Sequence, residues 1–168
     1  MSTAITKIMD SLNTVFAPMD AEVLQNSQKW AEDRVHSLVA FRASDEFKEL
    51  AKKGAFGGMY PKLFAVAGGK TWYDVFTTNG KTGIQEFVAK NCAATAKRRN
   101  ASITNKLLKA GVTEVTSETY THTNDGFNGV FYVVTDQGIK RVTIDTIRAG
   151  GYNVQCLHLR VLVKVSKV

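Results

Sequence analysis

The chain has 168 residues, 44% of them apolar, with 22 Lys and Arg against 15 Asp and Glu and only 2 Cys and 2 Pro. That size suits one domain or two very small ones, and it excludes wholesale disorder and a disulfide-stapled secreted scaffold. No apolar run approaches the ~18 residues of a membrane span, and Met1 to Lys7 lack the basic and apolar stretches of a secretion signal, so a cytosolic, reduced protein with no membrane partner is expected.

The net charge of +7 is not spread evenly. Residues 1–60 hold 7 basic and 8 acidic residues, residues 61–111 hold 9 and 2, and residues 112–168 hold 6 and 5. Binding to a polyanion needs clustered cations, so the middle third is the place to look for it.

Residues 1–60 form a helical N-terminal part. Ile5, Ile8, Met9, Leu12, Val15 and Phe16 recur at three- and four-residue spacing, which predicts an amphipathic helix that Pro18 ends. Its polar face offers only Lys7 as a cation, so residues 4–16 are expected to pack on the rest of the chain or on a second copy in a homo-oligomer. Asp20 is placed to cap a second helix whose Val23, Trp30, Leu38 and Phe41 face the core. Ser44 caps a third, with Asp45, Glu46 and Glu49 early, Lys52 and Lys53 late, and Gly54 as the stop.

Residues 61–111 change period. Leu63 to Ala67 and Lys70 to Phe76 flank Gly68-Gly69, which predicts a β-hairpin. A helical segment from Thr82 runs toward Lys97-Arg98-Arg99-Asn100, and a second from Ser102 to Ala110 stops at Gly111. Lys97, Arg98 and Arg99 point in different directions around a helix axis, and a bend or break is expected at Asn100. Gly69-Lys70-Thr71 and Gly80-Lys81-Thr82 match the end of a phosphate-binding loop, but Phe64 and Val75 stand where its first glycine is required. Neither is a nucleotide site, and no cofactor is assigned.

Residues 112–168 read as a meander of about four antiparallel strands, expected to form one compact unit with residues 61–111: Thr113 to His122, Gly129 to Asp136, Ile139 to Ile147 and Tyr152 to Val165. Alternation puts Leu157, Leu159, Val161, Val163 and Val165 on one face of the last strand. The opposite face would gather Arg141, Asp145, Cys156, His158 and Arg160. Cys156 and His158, with His122 from a neighbouring strand, could supply part of a zinc site or a small nuclease, but the paired spacing of structural zinc is missing. A Cys156 nucleophile served by His158 is disfavoured, because residues two apart on a strand project in parallel. No catalytic residue and no metal are assigned.

Three stretches in this region carry a resemblance: Asp125 to Phe131, Lys140 to Ile147 and Ala149 to His158, with a lead-in from Ala96 to Ala101 and Lys109 to Gly111. Over roughly residues 96–165 the chain resembles an uncharacterised domain of tailed-bacteriophage and mobile-element proteins, also found as a module in large polyvalent phage proteins. The resemblance implies a bacteriophage protein acting in the host bacterial cytoplasm or carried in the virion. It implies no catalytic residues.

The expected whole is an α+β protein: N-terminal helices, a central β-hairpin with a basic helix pair, and a C-terminal four-stranded antiparallel meander. Its expected role is non-enzymatic, either bound to DNA or RNA or acting on a host factor as a takeover protein. Lys90, Lys97, Arg98, Arg99, Lys106 and Lys109 would meet phosphates, and Trp72 or Tyr73 could stack on bases. A virion assembly component docking through residues 4–16 on a host or phage protein is the alternative, and a small nuclease-like enzyme the second.

Overall fold

A computed structural model describes residues 2–53, 72–149 and 158–168. The elements are helices α1 (Thr3–Ala43), α2 (Asp45–Lys52) and α3 (Trp72–Lys109), then strands β1 (Glu114–His122), β2 (Gly126–Thr135), β3 (Gly138–Ala149) and β4 (His158–Lys167). The protein is therefore α+β. Its described residues divide into two compact units, 2–23 with 92–149 and 158–168, and 24–53 with 72–91. The divisions fall inside α1 and α3.

In the first unit the four strands form an antiparallel meander in the order β1-β2-β3-β4. Strict alternation along β2 buries Phe127, Phe131 and Val133, and the register brings Val142 of β3 opposite Phe131 and Ile144 opposite Gly129. The same face receives Leu159 from β4, Ile5, Ile8, Leu12 and Phe16 from α1, and Ile103 and Leu107 from α3. The apolar stripe of residues 4–16 thus packs into the core of this unit.

Pro18 does not end α1, which runs through it for another 25 residues. Interior proline costs a helix about 3 kcal/mol. Pro18 lies on the exposed side, while Phe16, Met19 and Val23 continue the buried stripe, each recovering about 1.5–3 kcal/mol. Asp20, expected as a cap, is an interior helical residue.

In the second unit Ser27, Ala31 and Val35 of α1 and Ile84 and Val88 of α3 are buried. Here the buried stripe advances by fours and passes beside Trp30, which is half-buried with the Arg34 guanidinium 5.0 Å from its ring centroid. Gln28 donates to the Gln85 carbonyl at 3.2 Å, Gln85 donates to Glu32 at 3.0 Å, and Lys81 pairs with Glu32 at 3.4 Å. Ser44 caps α2 as expected, accepting from the Phe47 N–H at 3.2 Å, with Asp45 and Glu46 in the first turn and Lys52 in the last.

α3 departs from expectation at both ends. Residues 72–76, expected as the second hairpin strand, are helical, whereas 54–71, including the first strand, Gly54 and Gly68-Gly69, lie outside the described residues. No break occurs at Asn100. The interruption is at Gly80, whose φ of 66° is a backbone state that side chains disfavour. Beyond it the helix runs unbroken to Lys109, so the basic helix pair is one helix.

Candidate functional site

The unbroken helix changes the reading of the cations. With about 100° per residue, Thr95, Arg98, Ser102, Lys106 and Lys109 form a single stripe, spaced 3, 4, 4 and 3 residues apart, beside the core-facing Ile103 and Leu107. This stripe borders a groove of about 350 Å³. One wall is Thr95, Arg98, Ser102 and Lys106, the deeper lining is Arg99 and Ile103, and the other wall is Leu159, Val161 and Val163 of the outer strand β4. Arg98 donates to Thr95 Oγ1 at 3.3 Å and Lys106 Nζ to the Val163 carbonyl at 3.4 Å. Among the described residues no carboxylate pairs with Arg98, Lys106 or Lys109.

Arg99 differs from its neighbours. Its side chain is 6% exposed and donates two hydrogen bonds to Asp20, at 2.7 and 3.0 Å, while its guanidinium carbon lies 3.7 Å from the Phe16 ring centroid. This charge is satisfied within the fold. Lys97 is exposed but lies off the groove stripe, and Lys90 is exposed in the second unit. Of the six cations expected to meet phosphates, the stripe collects three: Arg98, Lys106 and Lys109. Trp72 and Tyr73 belong to α3 rather than to a hairpin.

The polar sheet face also takes a different form. Arg141, Asp145 and Arg160 are exposed on the side opposite the core, with Leu162 across from Asp145 and Ile147 across from Arg160. They lie on an open surface where Asp145 accepts a hydrogen bond from Asn128. Cys156 is outside the described residues. His158 opens β4, paired with Ala149, and His122 closes β1. β1 and β4 are opposite edges of the sheet, three strand spacings or about 14 Å apart, so the sheet order places His122 far from the β4 backbone. Among the described residues no three His, Cys, Asp or Glu side chains converge on a metal-sized site, and no helix is long and apolar enough to cross a membrane.

Thr95 and Ser102 complete the groove without any signal that singles them out in the sequence, whereas Leu159, Val161 and Val163 are legible as one strand face but not as neighbours of α3. The 3-4-4-3 spacing was a usable signal for the stripe as a whole, hidden by the expectation of a break at Asn100. No protein-family model, curated protein or solved structure matches the chain.

Proposed function

We propose that the chain is a small non-enzymatic bacteriophage binding protein that engages an anionic partner, a nucleic acid or an acidic segment of a host protein, along the α3–β4 groove. One observation carries this reading: Arg98 and Lys106, which pair with no carboxylate among the described residues, line a groove together with Thr95 and Ser102, and Lys109 extends their stripe along α3. A cation with no internal counter-charge remains available to an external one, and serine and threonine hydroxyls add hydrogen bonds to phosphate or carboxylate oxygens. Apart from Arg99 the rest of the lining, Ile103, Leu159, Val161 and Val163, is aliphatic, which suits holding a ligand rather than transforming it.

The test is fluorescence anisotropy with single-stranded DNA, double-stranded DNA, RNA and polyglutamate between 50 and 200 mM salt. Binding to at least one anion is expected to weaken steeply with salt. For a nucleic acid, the log–log slope should fall by about 1 for each of Arg98, Lys106 and Lys109 replaced by Ala. Absence of binding to all four at 50 mM salt sinks the proposal.

A further inference from the structure

We propose that the outer edge of β4 and the adjoining groove form a strand-addition site for an extended acidic peptide; this rests on the reading above that an anionic partner occupies the groove.

The two edges of the sheet are built differently. β1 is polar, almost wholly exposed, and interrupted by a register shift between Val115 and Ser117. Bulges and polar side chains are the usual means of keeping an edge from pairing with another chain. β4 has no bulge, and its charged side chains, Arg160, Lys164 and Lys167, are all cationic, which deters a second copy but not an acidic strand. Its ten residues pair with β3 in unbroken register, its inward side chains are Leu159, Val161, Val163 and Val165, and Leu162 on the other face is 63% exposed. Among the described residues no strand pairs with its outer side, where backbone N–H and C=O groups are presented to an incoming chain.

Charge selects the occupant. An added strand would send alternate side chains toward the groove, between the aliphatic wall and Arg98 and Lys106, and the others toward the outer face, where β4 carries Arg160 and Lys164. Cations therefore flank the position on both faces, and acidic side chains complement them. A second copy of β4 would instead bring its own Arg160, Lys164 and Lys167 against these cations. A single nucleic-acid strand fits the charges less completely, since bases bind best on aromatic faces and the groove lining contains none. The long Lys106 bond to Val163 is one that a peptide carboxylate could displace.

The probe is a fluorescein-labelled decapeptide of alternating Glu and Val, compared with the same peptide N-methylated at alternate residues and with a 15-nucleotide oligo-dT. The unmodified peptide is expected to bind, N-methylation to weaken it at least about tenfold by removing backbone donors, and Arg98→Glu or Lys106→Glu to weaken it by a similar factor with the circular dichroism spectrum unchanged. Equal binding of the N-methylated peptide, or binding of oligo-dT alone, overturns strand addition while leaving the anionic-partner reading standing. A dimer in light scattering that Leu162→Asp dissolves assigns the edge to a second copy and also overturns it. Failure of all the anions to bind removes both.

Discussion

Arg99 of α3 and Asp20 of α1, 79 residues apart in the chain, form a two-pronged ion pair, with the arginine lying against the Phe16 ring. Arg99 occupies a position on the core-facing stripe of α3, between Ala96 and Ile103, where an aliphatic residue would be the ordinary choice. Removing Asp20 would leave a guanidinium that is 6% exposed without its counter-charge. Asp20→Ala should therefore cost about 3 kcal/mol, and Arg99→Ala a similar amount, with the double variant well short of the sum. Urea denaturation of the two single variants and the double variant measures the coupling. Additive losses would show that the pair contributes nothing beyond its separate parts.

This pair also explains where the sequence misleads. An arginine on the buried stripe makes the apolar pattern of α3 look broken near Asn100, although Cys92, Ala96, Ile103 and Leu107 keep helical spacing on either side. Asn100 itself donates from its side chain to Asn13 at 2.8 Å, a second polar tie to α1. Likewise Pro18 reads as a stop because local propensity is visible in the sequence, whereas the burial of Met19 and Val23 is not. The β meander was legible because period-2 alternation, Asn124-Asp125-Gly126 and Gln137-Gly138 act locally. The groove was not, since β4 is distant in sequence from α3 and only the sheet order brings its aliphatic face there.

Gly126 begins β2 opposite Ile147, and a Cβ at this position would run into the Thr146 carbonyl of β3. Backbone cannot give way as a flexible side-chain end can. Gly126 also accepts from the Thr123 N–H at 2.9 Å, and Arg148 N–H donates to the Asp125 carbonyl at 2.7 Å, so the turn is tied on both sides. Gly126→Ala is expected to destabilise the protein by about 2–4 kcal/mol, read as a lower thermal midpoint. A loss under about 0.5 kcal/mol would mean that the two strands can separate locally without cost.

Tyr120 of β1 packs edge-on against Phe127 and Phe131, and its hydroxyl is buried with no hydrogen bond of good geometry among the described residues. Burial, reinforced by the negative charge of Glu118 and opposed by the nearby Ser11 hydroxyl, pushes the phenol up to about 12 from 10.0. The folded state thus holds this proton more tightly than the unfolded chain. The resulting stability is complete below pH 10 and is lost as pH rises toward 12. Tyr120→Phe should remove that alkaline loss and leave neutral-pH stability unchanged or higher by up to about 1 kcal/mol. Denaturation midpoints at pH 7, 10 and 11.5 decide the matter, and an unaltered alkaline decline in the variant would assign it to another group.

Lys97 and Arg98 are adjacent and both exposed, yet only Arg98 lies on the groove stripe. Reversing either charge changes the net charge by the same amount, so any difference between Lys97→Glu and Arg98→Glu reports position rather than total charge. At about 0.01 M salt the Debye length is about 30 Å, and both substitutions should weaken anion binding comparably. At 0.15 M it falls to about 8 Å, so Lys97 is screened from a ligand in the groove while Arg98 still touches it. Arg98→Glu is therefore expected to weaken binding several-fold more than Lys97→Glu at the higher salt, measured by anisotropy with the best of the anionic probes. Equal losses at both salt concentrations would place the ligand on a diffuse basic surface of α3 and not in the groove beside β4.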